Sequence, residues 1–168
     1  KMNAGSRDGE IGDVVIEVSG TTADHHSVFR RQDCGFRYRG SDFPSNIVLT
    51  SAILQCDKHR NEDTKALDLR ARELLSRRHR TQPKLRSAGS IFKNPPGDFA
   101  GRLIEAAGLK GHIAGRAQIS EVHANFVVNL GGATAADVLA LATLAQEKVA
   151  ALFGVTLEWE VRRVGDFT

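Results

Sequence analysis

The sequence predicts an α+β protein, and three observations carry that expectation. Two strand-like runs fall in the first third, a long helix-period segment stopped by a proline follows, and the remainder mixes short helices with strand-period segments. Strands and helices that follow one another without strict alternation suit helices packed on antiparallel sheets.

Asp13-Val14-Val15-Ile16-Glu17-Val18 is β-branched and bounded by glycine, and Ile47 to Leu54 alternates apolar residues with small or polar ones, so both are predicted strands. The polar stretch between them, with Ser27-Val28-Phe29-Arg30 and Cys34-Gly35-Phe36-Arg37-Tyr38-Arg39, is expected as loop or short turn. From Asn61 to Arg80 the composition shifts to Ala, Leu, Glu, Lys and Arg, with Leu67, Ala71, Leu74 and Leu75 at helical spacing. One amphipathic helix is predicted there. Thr81-Gln82-Pro83 ends it, because the residue before a proline avoids the helical region. A domain boundary is placed at this stop, giving residues 1–57, a connecting helix over 58–83, and a C-terminal domain over 84–168.

Beyond the boundary, Ala100, Leu103, Ile104 and Ala107 form the stripe of a short helix closed by Gly108. Asn125 to Leu130 is a predicted strand, with His123 and Asn125 on one face and Ala124 and Phe126 on the other. Thr134-Ala135-Ala136-Asp137 has the form of a capping box. The helix it opens is expected to turn Val138, Leu141, Ala145, Val149 and Leu152 inward and to end at Gly154. Val155 to Val164 alternates, so a last strand should send Val155, Leu157, Trp159 and Val161 one way and Thr156, Glu158, Glu160 and Arg162 the other.

Composition narrows the class. A chain of 168 residues with 41% hydrophobic side chains can bury a core, and its formal charge of +3 is compatible with an anionic small ligand. Cys34 and Cys56 have no metal-like or redox-like spacing, so free thiols in a reducing, cytoplasmic compartment are expected. No apolar run approaches the ~20 residues that span a bilayer, and the start lacks a signal-peptide pattern. Arg77-Arg78-His79-Arg80 is diluted by Glu62, Asp63, Asp68 and Glu73 and has no interleaved aromatic, which argues against a nucleic-acid partner. The six histidines form no ligand spacing with Cys or acidic partners, so no metal is expected.

The stretch Ser87-Ala88-Gly89-Ser90-Ile91-Phe92-Lys93-Asn94-Pro95 is followed in order by Ala100-Gly101-Arg102-Leu103-Ile104-Glu105, Gly108-Leu109-Lys110-Gly111, Gln118-Ile119-Ser120, His123-Ala124-Asn125-Phe126 and Glu158-Trp159-Glu160-Val161-Arg162. Upstream stand Met2-Asn3-Ala4-Gly5, Gly9-Glu10-Ile11 and Phe36-Arg37-Tyr38-Arg39-Gly40-Ser41. This ordered set, spread over nearly the whole chain, resembles the UDP-N-acetylenolpyruvoylglucosamine reductase family. The short passage between Leu54 and Arg80 matches its branch without a tyrosine-bearing insertion. Family members carry further residues before Met2-Asn3-Ala4-Gly5, and Ser6-Arg7-Asp8 departs from the small, aromatic and glycine residues usual there; a truncated chain is expected.

The resemblance implies the C-terminal part of a flavin-binding, PCMH-like subdomain, followed by an α/β substrate-binding C-terminal domain. It implies FAD and NADPH as cofactors, a UDP-sugar substrate and a monomer. Ser90 would quench the substrate enolate with its proton, Glu160 would be the catalytic carboxylate, and Arg39 would hold the substrate carboxylate. Asn3, Ala4, Gly5, Glu10, Tyr38 and Arg162 would serve the flavin, the first four mainly through backbone atoms. Lys93, Asn94, Lys110, His123 and Asn125 would bind substrate. Each residue also has a plainer reading: Ser90 in a Gly-Ser turn, Arg39 solvated in a loop, Glu160 and Arg162 as a surface salt bridge, and Lys110 as a cation meeting a helix C-terminus. The functional alternatives are a nucleotide-sugar-binding remnant without FAD and, further off, a nucleic-acid-binding module.

Overall fold

The computed structural model describes residues 1–6, 9–55 and 64–165. The chain divides into two compact units, Lys1–Glu62 and Asp63–Thr168. The break expected between residues 57 and 58, the expected helix start at Asn61, and Arg7, Asp8, Cys56 and His59 lie outside the described residues.

In the first unit, β1 (Gly5–Ser6) pairs antiparallel with β2 (Gly9–Glu10), and a 3-10 turn follows over Ile11–Asp13. Asp13 was expected to open a strand. Instead its carboxylate accepts the Glu10 amide at 2.7 Å and caps that turn, so β3 begins at Val15 and runs to Thr21. β3 is the centre of a three-stranded antiparallel sheet, flanked by β4 (His26–Arg30) and β5 (Val48–Leu54). β4 is a correction to the expected loop: five residues with only Val28 and Phe29 apolar carry little strand signal, yet they pair along β3 with Val18 opposite Phe29. Val15, Val18 and Cys34 are buried, and Phe29, Phe36, Phe43 and Leu49 pack on them. Burial pushes the Cys34 thiol above its ordinary pKa.

The second unit opens with α1 (Thr64–Thr81), which stops before Pro83 as its sequence dictates. No residue of α1 is buried, and Leu67, Leu69, Leu74 and Leu75 are all exposed. The remaining elements are β6 (Ser87–Ser90), α2 (Ala100–Ala106), β7 (Ile113–Ala114), β8 (Ala117–Ile119), β9 (Phe126–Asn129) and α3 (Ala135–Phe153). The strands form one antiparallel sheet in the order β6-β9-β8-β7. Leu103 and Ile104 of α2 and Leu141, Ala145 and Val149 of α3 meet Ile91, Phe92, Ile119 and Val127 in its core.

The α3 capping box is present: Asp137 N donates to Thr134 Oγ1 at 3.1 Å, and Thr134 N donates to the Asp137 carboxylate at 2.9 Å. Gly154 closes the helix at φ 67°, a conformation that suits glycine. Leu152, expected inward, is exposed because the helix stripe reaches solvent in its last turn.

Among the described residues the C-terminal segment forms no strand. It makes one antiparallel bridge, Phe92 with Trp159, against a partner stretch that soon reaches Pro95-Pro96, where a backbone ladder cannot continue. Its alternation survives as burial: Leu157 is buried, Val155, Trp159 and Val161 pack on the core, and Thr156, Glu158 and Arg162 are exposed.

Candidate functional site

In the first unit the expected flavin residues and Arg39 share one polar corner. Asn3 is buried at φ 52°, a left-handed conformation that a short amide side chain tolerates better than most. Its Nδ2 donates to Glu10 Oε2 at 2.6 Å and to the Arg37 carbonyl at 3.2 Å, and its Oδ1 accepts from Gly12 N at 2.8 Å. The Asn3 side chain therefore ties β2 and the Arg37 turn together. That turn is closed by Arg37 N to Gly40 O at 3.1 Å and Gly40 N to Arg37 O at 3.0 Å, with Arg39 at φ 51°.

The left-handed step sends the Arg39 guanidinium back toward the start of the chain. Nη2 donates to the Gly5 carbonyl at 3.2 Å, Nη1 lies 3.9 Å from Glu10 Oε1, and the guanidinium carbon lies 4.9 Å from the Tyr38 ring centroid. Ala4 is exposed, and its carbonyl accepts from Ile11 N at 2.9 Å. An open depression of about 390 Å³ elsewhere on this unit, lined by Ile16, Glu17, Arg30, Arg31 and Gln32, contains none of the expected site residues.

In the second unit the signature stretch is half strand and half clamp. Ser87 pairs with Val128 and Ser90 with Phe126, with an irregularity between them where Gly89 takes φ 84°. Ser90 is half-buried, and its hydroxyl makes no hydrogen bond among the described residues. The chain after Ser90 is held on both sides. Ile91 N donates to the Asn125 carbonyl at 2.9 Å, Glu160 N to the Ile91 carbonyl at 2.8 Å, and Lys93 N to the Glu158 carbonyl at 2.8 Å. The Ile91 carbonyl thus joins the residue after Ser90 to the backbone of Glu160. The Phe92 and Trp159 rings, with centroids 5.2 Å apart, pack beneath this junction.

Of the residues expected to bind substrate, Lys93 and Asn125 touch this junction, through Glu158 and Phe92, whereas Lys110 and His123 meet Glu105 and Gly101 of α2. The Lys93 ammonium lies 3.2 Å from Glu158 Oε2, and Asn94 Oδ1 accepts from Ala100 N at 3.1 Å, satisfying a donor at the α2 N-terminus. The Lys110 ammonium lies 2.7 Å from Glu105 Oε1. His123 and Asn125 stand in the turn before β9, which corrects their expected place on the strand. Asn125 is buried, with its carboxamide on the Phe92 peptide. The His123 Nδ1 accepts from Asn125 N at 3.2 Å, its ring lies edge-on to Phe126 at 4.9 Å, and a Cβ on Gly101 would come within 2.8 Å of its Cε1. Burial first, and the Lys110 charge after it, hold the His123 pKa below its ordinary value. Arg162 is exposed, and the guanidinium of its neighbour Arg163 lies 5.1 Å from the Trp159 ring centroid.

A cavity of about 450 Å³ beside Ser90 is lined by Arg78, His79, Gln82, Pro83, Lys84, Ser87, Gly89 and Phe126. Arg78 and His79 belong to a basic run whose sequence signal points only to a nucleic-acid patch, and Lys84, just past the Pro83 stop, carries no motif, so none of the three is legible as a lining residue. Among the described residues no group of three His, Cys, Asp or Glu could hold a metal ion, and no helix is long and apolar enough to cross a membrane.

Residues 82–164 match the family model described as UDP-N-acetylenolpyruvoylglucosamine reductase, C-terminal domain. The UDP-N-acetylenolpyruvoylglucosamine reductase of Anaeromyxobacter sp. (strain Fw109-5) is 50% identical over 167 residues, 99% of this chain and 52% of that relative. That of Myxococcus xanthus (strain DK1622) is 46% identical over 167 residues, 99% of this chain and 53% of that relative. The crystal structure of the UDP-N-acetylenolpyruvylglucosamine reductase (MurB) from Thermus caldophilus matches with a TM-score of 0.81 at 40% identity, over 95% of this chain and 57% of that one. The chain spans about half the length of these curated relatives. Aligned along its length with these reductases and sharing the fold of one of them, the chain belongs to the UDP-N-acetylenolpyruvoylglucosamine reductase family.

Proposed function

We propose that the chain contributes the flavin-edge and substrate-binding residues of a cytoplasmic, monomeric, NADPH-driven FAD reductase that converts UDP-N-acetylenolpyruvoylglucosamine to UDP-N-acetylmuramate in peptidoglycan synthesis. The observation that carries this reading is the half-buried Ser90 hydroxyl, free of hydrogen bonds among the described residues, on a chain whose next carbonyl, that of Ile91, accepts from the Glu160 amide.

The residues of the first unit fit a flavin edge. The exposed Ala4 and half-buried Gly5 peptides stand next to a guanidinium and a Tyr38 ring that is 47% exposed, combining backbone groups, positive charge and aromatic surface. Asn3, Ala4, Gly5, Glu10 and Tyr38 would hold the group, with Arg162 as a further contact. When bound, FAD supplies a hydride to the substrate double bond and is recharged by NADPH.

Hydride arriving at the terminal carbon of an enol ether conjugated to a carboxylate leaves negative charge on the neighbouring carbon and on the carboxylate. Arg39 meets that carboxylate with a planar, two-pronged donor that fits the planar acceptor. Ser90 delivers the proton to the carbanionic carbon. Its hydroxyl is neutral beforehand and does not repel the anionic substrate, and Glu160 is its acidic partner. Lys93, Asn94 and Lys110 serve the nucleotide sugar and its diphosphate, His123 lines the same site, and the basic walls of the neighbouring cavity add to the attraction for an anion.

The test is made on the full-length protein: yellow colour, and NADPH loss that requires UDP-N-acetylenolpyruvoylglucosamine. A flavin-loaded preparation that does not oxidise NADPH in the presence of that substrate overturns the reading. For the 168-residue chain alone, which spans half of its relatives, the second reading is nucleotide-sugar binding without a redox centre; calorimetry showing UDP-sugar binding by colourless protein supports it.

A further inference from the structure

Asn125 makes four hydrogen bonds, and three of them go to the two residues directly after Ser90. Its carbonyl accepts from Ile91 N at 2.9 Å, its Oδ1 accepts from Phe92 N at 3.0 Å, and its Nδ2 donates to Phe92 O at 2.7 Å. The carboxamide thus pairs with the N–H and C=O of a single residue as a neighbouring strand would, across 33 positions of sequence. Phe92 is 1% exposed, so its N–H and C=O would stand buried and unpaired without this side chain. The flanking backbone groups are already committed, Ile91 O to Glu160 N and Lys93 N to Glu158 O. Asn125 is itself 3% exposed, with both ends of its amide engaged.

We propose that Asn125, expected among the substrate-binding residues, is instead a positioning residue: it fixes the backbone of Ile91 and Phe92 directly after Ser90, and so aims the Ser90 hydroxyl and the Asn94 amide, without touching the ligand. The proposal rests on the reading of Ser90 as proton donor. Ser90 needs such support because nothing among the described residues grips its hydroxyl and Gly89 beside it is left-handed at φ 84°. Asparagine is the residue type the contact demands: aspartate has no donor for Phe92 O, and glutamine carries an extra methylene into a filled core.

Two measurements test this. In amide hydrogen exchange on the chain, Phe92 is protected in the wild type; Asn125→Ala and Asn125→Asp should each speed its exchange about tenfold or more, while Val127 and Val128 of β9 stay protected. Unchanged exchange at Phe92 in both variants overturns the proposal. Should neither variant fold, the wild type decides on titration with UDP-N-acetylglucosamine. The Asn125 carboxamide signals should then move less than those of Asn94, and a larger shift at Asn125 overturns it.

In the full-length, flavin-loaded protein, Asn125→Asp should leave reduction by NADPH and affinity for the UDP-sugar unchanged. It should slow reoxidation by substrate about 10- to 100-fold, as expected for a reacting group displaced by an ångström or less. The double variant with Ser90→Ala should be no slower than Ser90→Ala alone. Additive losses together with weaker UDP-sugar affinity would mean that Asn125 touches the ligand, and the proposal falls. If Ser90→Ala itself has no effect, the proton-donor reading fails and the catalytic part of the proposal fails with it; the Phe92 exchange result separates that outcome from failure of the clamp.

Discussion

Lys93 and Glu158 are joined twice: the Lys93 amide donates to the Glu158 carbonyl at 2.8 Å, and the Lys93 ammonium lies 3.2 Å from Glu158 Oε2. The main-chain bond fastens the C-terminal segment to the signature loop, and the ion pair lies over it with the carboxylate side chain 74% exposed. Exposed pairs of this kind contribute about 0.2–1 kcal/mol and are screened by salt. Glu158→Ala should therefore lower stability by no more than about 1 kcal/mol, and the difference should shrink in high salt. Denaturant titrations at two salt concentrations check both statements.

Ser90→Ala separates chemistry from folding. Its hydroxyl makes no hydrogen bond among the described residues, so stability should change by less than about 0.5 kcal/mol. Flavin reduction by NADPH should be spared while reoxidation by substrate slows about 100-fold or more, the scale of a lost proton donor. Stopped-flow measurement of the two half-reactions decides; equal slowing of both removes the role given to Ser90.

His123 gives the second unit a pH dependence whose sign is fixed. Burial holds its folded pKa below the ordinary 6.5, so between those two values the unfolded chain binds more protons than the folded one, and stability rises with pH. The contribution is complete above 6.5 and is lost as pH falls through the lowered value. Lys110 opposes the imidazolium and Glu105 favours it. Protonation would also put a hydrogen on Nδ1, the atom that accepts from Asn125 N. Denaturation midpoints for the wild type and His123→Gln should converge as the pH drops below 6.5, with the steeper slope in the wild type.

Thr134 closes both halves of its capping box with Asp137. Thr134→Ala leaves the first-turn donor on Asp137 without that acceptor and should cost about 1 kcal/mol. Thermal melts of the two proteins measure it, and Thr134→Ser should restore most of the loss.

The parts legible in the sequence are those whose signal is local. Thr134 with Asp137 marks a helix start, Pro83 marks a helix stop, and Leu141, Ala145 and Val149 recur at helical spacing, so α1 and α3 could be drawn from composition and period. β4, β6, β7 and β8 could not, because two to five residues of mixed polarity, such as His26-Ser27-Val28-Phe29-Arg30, carry no period and are made strands by their neighbours. The alternation of Val155 to Val164 holds as burial from Val155 to Trp159 and breaks at Glu160, which is half-buried like Trp159 and Val161; it makes no strand, since alternation says which side chains can face the core but not whether a ladder partner exists. At the site, the residue types of the signature were visible, but the work of Asn125 was not. A bond across 33 positions leaves no local trace.

The left-handed step at Arg39 carries an evolutionary consequence. Such a conformation costs a non-glycine residue roughly 1–2 kcal/mol, so Arg39→Gly should melt above Arg39→Ala, a ranking opposite to that in a helix or strand. Under selection for heat resistance alone the position would drift toward glycine; wherever arginine persists there, the lineage is keeping a cation at the expense of an easier backbone.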